Sequence, residues 1–273
     1  MLRRNKVWLE QRAPGLALAA RLLLWYTEQR GRESRRRLRG LQGRYRGQRC
    51  FIIGNGPSLN TMDLRPLARE ATFSLNRGYL LYDRIGAPTT FHVVVNPLVA
   101  AQWTGDLERL ANTKLISWSL RRLFPRDADI IYWGRPTASM TPRFAQQATR
   151  DIWSGATVTY VALQLAYAFG FNPVILIGVD HRYQGEGKPH EEVVAGSQDP
   201  NHFDPSYFAQ GVRWNLPDLE TSELSYTLAR HYYHLDSREI LDATVGGTLT
   251  VFPKVDYATL FGSTLLAPSR TQR

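Results

Sequence analysis

Cysteine is nearly absent from this chain: among 273 residues only Cys50 carries a thiol. An internal disulfide is therefore excluded, and so is a metal centre built from several cysteines. The scarcity suits a reducing compartment. Long apolar runs are missing as well. The best of them, from Leu16 to Tyr26, is broken by Arg21 and falls short of the ~20 residues a spanning helix needs. An interrupted run with no disulfide-type cysteines behind it does not read as a secretory signal. The expected location is cytoplasmic, with peripheral contact at the inner face of the membrane as an option. Several catalytic signatures are also lacking: no His-Glu-x-x-His, no Gly-x-Ser-x-Gly and no Gly-Lys-Ser/Thr phosphate loop occurs.

Acidic residues are scarce in one region only. Residues 1–49 hold 3 Asp/Glu against 14 Lys/Arg, whereas the rest of the chain holds 21 against 20, so the net +10 belongs to the first segment. A nearly neutral body argues against a nucleic-acid-binding core, whose basic stripe would lie on the folded surface. Residues 1–49 read as a basic helical arm. Its apolar stretch is followed by Arg30 to Arg49, with Arg35, Arg36 and Arg37 at the centre. Two readings stay open. The arm docks on an anionic membrane, at roughly 1 kcal/mol per basic residue near the lipid, or it packs on the domain with its arginines solvated.

From residue 50 onward short apolar runs alternate with helical patterns, the signature of βαβ units. The expected fold is α/β: a single Rossmann-like domain over 50–262 with a mainly parallel sheet. Strands are expected at 50–54, 72–76, 91–96, 114–118, 129–133, 173–180 and 239–242. Helical spacing marks 154–170, stopping at Gly170, and 221–235, with Thr221 as cap and Leu224, Leu228 and Tyr232 on one face. Residues 181–220 show little periodicity but keep five aromatics (Tyr183, Phe203, Tyr207, Phe208 and Trp214), and read as a substrate lid. A tail, 263–273, is expected to fray.

The richest motif is Gly54-Asn55-Gly56-Pro57-Ser58-Leu59, directly after an apolar strand. Two glycines let a backbone approach a ligand, and Pro57 favours a helix start. The expected sequence of elements is strand, nucleotide-contacting loop, helix. Four strand ends finish on Asn55, Asn76, Asn96 and Asp180, which a parallel sheet would bring to one edge. Carboxamides both donate and accept, which suits sugar hydroxyls, a pyrimidine edge and phosphate oxygens. Ser154-Gly155 opens the long helix, whose amino terminus is an anion site, although Ser154 also reads as a plain cap. In the lid, His181, His190 and His202 lie among carboxylates without a zinc spacing. His202, among aromatics, is the candidate base.

These motifs, with Ser74-Leu75-Asn76, Val95-Asn96-Pro97 and Ile177-Gly178-Val179-Asp180, resemble in order and interval those of the bacterial lipo-oligosaccharide sialyltransferases. The resemblance covers 50–182 well and 200–261 loosely. It implies a CMP-sugar donor held by Asn55, Asn76, Asn96, Ser154 and Gly155; Gly54, Gly56, Ser58 and Asp180 complete the expected nucleotide site. It further implies a lid tyrosine (Tyr183) on the leaving phosphate, a histidine base (His202), inversion without a metal cofactor, and a glycan or lipid-linked acceptor. Asp151 stands where that family has an arginine, with Arg150 one position earlier. The opening motif also resembles the 6-hydroxymethylpterin pyrophosphokinase group, which implies ATP with Mg²⁺. There the strand that should supply acids ends His92-Val-Val-Val-Asn96-Pro97 instead. A nucleotide-binding protein without catalysis, acting in surface-glycan assembly, is the third reading.

Overall fold

The computed structural model describes residues 14–126, 128–134, 142–208 and 210–262; the expected tail lies outside them. Two helices come first, α1 (Pro14–Thr27) and α2 (Gln29–Leu41). The apolar runs then form β1 (Cys50–Ile53), β2 (Ala71–Leu75), β3 (Phe91–Val94), β4 (Thr113–Ser117), β5 (Ile130–Trp133) and β6 (Val174–Ile177). Between them lie three short helices, α3 (Tyr82–Ile85), α4 (Pro97–Gln102) and α5 (Thr104–Arg109), and one long one, α6 (Val158–Phe169). The remaining elements are a hairpin, β7 (Glu192–Val194) with β8 (Arg213–Asn215), then α7 (Leu219–Leu235) and β9 (Ile240–Asp242).

Seven strands pair in parallel in the order β5-β4-β3-β2-β1-β6-β9, a Rossmann-like sheet. The chain builds outward from β1 to β5, then crosses back to place β6 on the other side of β1. That reversal makes the β1/β6 junction the topological switch point, where a crevice opens at the strand ends. Every residue of β1, β3, β5 and β6 is buried, as strands covered on both faces must be. Cys50, Ile52, Val174 and Leu176 face the α6 side, where Val161 and Leu165 pack; Phe51, Ile53, Ile175 and Ile177 face Leu59, Leu81 and the lid aromatics. No helix among the described residues is long and apolar enough to cross a membrane.

Several expectations are corrected. β6 ends at Ile177 because Gly178 turns the chain with φ 66°. Pro57–Thr61 is a turn of 3₁₀ helix, not an α-helix. α6 starts at Val158 with Thr157 as its cap, whose hydroxyl accepts from Thr159 N, so Ser154 caps nothing. α7 is capped by Asp218, and Thr221 is the donor to it at 2.9 Å. Its inward face is Ser222, Ser225, Tyr226, Ala229 and Tyr233, while Leu224 lies 53 % exposed. Small residues there let α7 close on the turn before α6, where Ser225 Oγ donates to Gly155 O at 3.0 Å.

The described part of the basic segment packs on the domain. Trp25, Leu38 and Leu41 belong to the main core, and the Ser34 hydroxyl accepts from Tyr132 N at 3.0 Å. Arg30 donates to the Arg121 carbonyl at 2.7 Å, and Arg37 pairs with Asp129 at 2.6 Å. Packing α2 against β5 thus consumes part of the charge.

Beneath the β2 and β3 ends lies a polar cluster. Ser74 Oγ is 2.7 Å from both Thr89 Oγ1 and His92 Nδ1. Burial lowers the His92 pKa to about 3, so the ring is neutral in the folded protein. The folded pKa lies below the unfolded one. The stability tied to a neutral His92 is therefore complete above pH ~6.5 and is lost as pH falls toward 3, by about 1.4 kcal/mol per pH unit at most. Urea unfolding from pH 7 to 4 should show this slope, and His92→Gln should flatten it while lowering stability at pH 7.

A methyl on Gly54 would overlap the Gly178 carbonyl, whereas one on Gly40, an exposed residue of α2, meets nothing. Gly54→Ala should therefore cost about 1–3 kcal/mol. Gly40→Ala should gain up to about 1 kcal/mol. Urea denaturation of the two variants checks both signs.

Candidate functional site

At the switch point the β1 and β6 loops continue to bond beyond the sheet: Gly54 N donates to Ile177 O at 2.7 Å, and Gly56 N to Gly178 O at 2.9 Å. This closeness explains both glycines. A methyl on Gly56 would overlap the Asp180 carboxylate. Neither glycine has a positive φ; what they supply is room.

Alongside this junction opens a cleft of about 560 Å³, within the usual range for ligand sites. It lies at the carboxyl ends of β1, β2, β3 and β6 under the lid. Of the residues singled out by sequence, Gly54, Asn55, Gly56, Asn76, Asn96, Ser154, Asp180, Tyr183 and His202 all line it. Ser58 and Gly155 do not. Ser58 is buried, its hydroxyl donating to Asp180 Oδ2 at 2.7 Å and its N–H to Oδ1 at 3.2 Å. Asp180 is thus largely committed to the loop, with Arg182 Nη2 3.4 Å away on its outer side. Gly155, at φ 57°, is held in the turn against Tyr160 and Ser225. The next residue, Ala156, also has positive φ, 61°, a conformation costing roughly 1–2 kcal/mol for a residue with a Cβ. The turn sets Ala156, Thr157, Val158 and Thr159, the amino terminus of α6, into the cleft wall.

The three asparagines converge but are not equivalent. Asn96 is the cap of α4, its Oδ1 accepting from Leu98 N at 2.8 Å and Val99 N at 3.3 Å. Asn55 Nδ2 donates to Leu75 O at 3.2 Å, which ties the β1 loop to the end of β2. Asn76 sits in the left-handed region at φ 51°, a position asparagine tolerates better than most residues. Asn55 Oδ1 and Asn76 Oδ1 are both buried without a hydrogen-bond partner. A buried acceptor left unmatched costs about 1–3 kcal/mol, which sets these two carbonyls apart from the satisfied Asn96 oxygen.

His202 is held by a residue the sequence reading passed over. Its Nδ1 lies 2.8 and 2.9 Å from the two oxygens of Asp199. Asp199 also accepts from Asn201 N and Phe208 N, each at 3.1 Å. Burial pushes the Asp199 pKa up, but the His202 bond and charge with the two backbone N–H groups win, and the net shift is downward. In the neutral ring, an ionised carboxylate on Nδ1 fixes the proton there and leaves Nε2 with the lone pair. The imidazole stacks on Tyr207 at 4.0 Å and 4° between planes. Tyr183 meets Trp214 edge-on at 5.8 Å, and burial followed by the Asp199 charge raises its pKa, so the phenol stays protonated at neutral pH.

Arg77 anchors the lid. Its guanidinium donates to the Ser206 and Tyr207 carbonyls and lies 4.0 Å over the Trp103 ring, while its N–H donates to the Tyr207 hydroxyl at 3.2 Å. Nothing in the sequence flags Arg77, because its partners lie about 130 residues away. Asp199 had a faint signal in its place three residues before His202. The other lid histidines are also next to carboxylates: His181 Nε2 lies 3.4 Å from Glu223 and His190 Nε2 3.2 Å from Asp218. Among the described residues no group of three His, Cys, Asp or Glu side chains is placed to hold a metal ion.

No protein-family model and no curated protein matches this chain. A solved structure, that of the MAf glycosyltransferase from Magnetospirillum magneticum AMB-1, is similar in fold, with a TM-score of 0.52 and 18% sequence identity. The match covers 84% of this chain and 39% of that one, so this chain spans well under half the length of its structural neighbour.

Asp199→Ala removes the acceptor for two lid amides. Hydrogen exchange at Asn201 and Phe208 should accelerate about tenfold or more, with β1 and β6 unchanged. Exchange mass spectrometry of the lid peptides reads this directly.

Proposed function

We propose that the chain is a glycosyltransferase that takes its sugar from a nucleotide-activated donor, of the CMP-linked sialic acid type. The observation that carries the reading is a combination within one cleft: two buried asparagine carbonyls without partners, and an imidazole held by a carboxylate. The two acceptors suit the exocyclic amine of cytosine and the ribose hydroxyls. The start of α6 suits the donor phosphate, since a helix amino terminus favours negative charge. The fold likeness to a glycosyltransferase agrees with this reading.

The chemistry of this reading is a single displacement. The acceptor hydroxyl attacks the anomeric carbon from the side opposite the phosphate. A new C–O bond forms while the bond to phosphate breaks, its electron pair leaving with CMP, so the configuration inverts. The hydroxyl proton passes to His202 Nε2, and Asp199 stabilises the imidazolium until the proton leaves to solvent. Tyr183, protonated at neutral pH, donates to the departing phosphate. In this scheme the helix terminus and the phenol meet the leaving charge, and no metal ion takes part. The acceptor would be a glycan or a lipid-linked sugar.

Calorimetry against CMP, UDP, GDP and ATP, each with EDTA or Mg²⁺, tests the donor class. CMP should bind in EDTA. Asn76→Gly, which keeps the left-handed backbone, should weaken that binding about 5- to 100-fold. His202→Asn should leave CMP affinity intact but slow CMP release from CMP-N-acetylneuraminate about 10²- to 10⁴-fold. Binding of ATP alone, and only with Mg²⁺, would sink the reading and favour diphosphate transfer. CMP binding with no turnover of any donor would point to a non-catalytic role in surface-glycan assembly.

A further inference from the structure

α1 is apolar on all sides: in Pro14–Thr27 the only charged residue is Arg21. A helix of this kind is normally buried all round. Here only one side is. Trp25 is fully buried, edge-on to Trp118 with ring centres 5.0 Å apart, and Gly31 of α2 fits so closely under the Trp25 carbonyl that a methyl there would overlap it. The opposite side carries Leu16, Ala19, Ala20, Leu23 and Tyr26, spaced as one helical stripe and all exposed. Leu16 and Leu23 are 67 % and 63 % exposed, among the most exposed large apolar side chains of the described residues.

A row of positive charge adjoins this stripe. On α2 the buried residues are Gly31, Ser34, Leu38 and Leu41, so Arg32, Arg36 and Arg39 (at i, i+4 and i+7) form a solvent-facing row. Arg35 joins the two stripes: its guanidinium lies 4.6 Å over the Tyr26 ring and donates to the Tyr26 carbonyl at 2.9 Å. Burial and then the Arg39 charge lower the Arg35 pKa, the Tyr26 charge opposes them, and Arg32 adds to the lowering. Arg32 and Arg39 have no ion pair among the described residues, and Arg36 has only an exposed contact with Glu33 at 3.7 Å. A row of exposed like charges with so few internal partners is open to an anionic surface.

We infer that the α1 stripe and the α2 arginines together form a docking face for an anionic lipid bilayer. Fourteen residues make a helix of about 21 Å, too short to cross a hydrocarbon core of roughly 30 Å, so α1 lies in the plane of the interface. Leu16, Leu23 and Tyr26 enter the acyl boundary while Arg32, Arg36 and Arg39 meet phosphate and other anionic headgroups. Because α2 packs on β5, four strands from β1, the face sits about 20 Å along the sheet from the switch point. Docking therefore leaves the cleft open. The inference does not depend on which nucleotide the cleft binds.

Co-sedimentation of the full chain with vesicles tests it, using phosphatidylcholine alone and a 70:30 mixture with phosphatidylglycerol, at low and high salt. The wild type should partition onto the anionic vesicles, and much less at high salt. Arg32→Gln, Arg36→Gln and Arg39→Gln combined should reduce partitioning about 10- to 100-fold, and Leu16→Gln with Leu23→Gln at least tenfold. All five side chains are exposed, so unfolding midpoints should match the wild type. Equal partitioning onto neutral and anionic vesicles would overturn the inference, as would wild-type binding unaffected by both variants. Absent vesicle binding, together with a dimer that Leu23→Gln dissociates in sedimentation analysis, would assign the stripe to a second copy of the chain instead.

Discussion

The close approach of the β1 and β6 loops is the constraint on which the rest of this structure depends. Two backbone hydrogen bonds past the end of the sheet, Gly54 N to Ile177 O and Gly56 N to Gly178 O, hold the loops together where the strand order reverses. Asp180 then receives both the hydroxyl and the N–H of Ser58, which closes the junction with a buried pair of hydrogen bonds. With that edge fixed, the loops after β2 and β3 and the turn before α6 are left to form the walls of a cleft. The motif that draws the eye in the sequence is therefore first a packing device. In the proposed function its contribution to binding comes through Asn55, the residue between the glycines.

The polar groups of the cleft divide into those that are satisfied internally and those that are not. Asn96 spends its side-chain oxygen on the α4 cap, and Asp180 spends its carboxylate on Ser58. Asn55 and Asn76 keep a buried carbonyl unspent. Burial makes this difference consequential, because an exposed amide loses nothing by facing water while a buried one does. The lid adds a second level of order. Arg77 grips the lid backbone, Tyr207 lies under the His202 ring, and Asp199 sets its tautomer, so a loop with little regular structure presents one imidazole in a fixed orientation. The hairpin of β7 and β8 and the stack of Phe208 on Trp214 at 4.9 Å give the segment a small core of its own.

The amino-terminal segment shows how one stretch serves two environments. α2 uses a four-residue stripe to cover β5, and the same periodicity throws its arginines to the opposite side. α1 has no polar side to turn outward, so fixing Trp25 in the core exposes the leucines behind it. Stability of the fold and exposure of an apolar face are here two consequences of one helix orientation.

By itself the sequence determined the class of fold. Seven apolar runs separated by turn residues and helical spacing led to seven strands, and the continuous run at Val174–Ile177 lies between β1 and β9 with both faces covered. Strand ends at Asn55, Asn76, Asn96 and Asp180 could be assigned to one rim because parallel strands share a direction. These features are local, written in runs of four to eight neighbouring residues. The tertiary structure decided the rest: that Ser58 serves Asp180, that Gly155 packs on Ser225, that Asp218 and not Thr221 caps α7, and that Arg77 reaches across to the lid. Each of these depends on a partner distant in the chain, or on which of two adjacent polar groups has the better angle. Local patterns carry no record of such long-range geometry, because the same residue type fits a cap, a buried pair or a ligand contact equally well until its neighbours are in place.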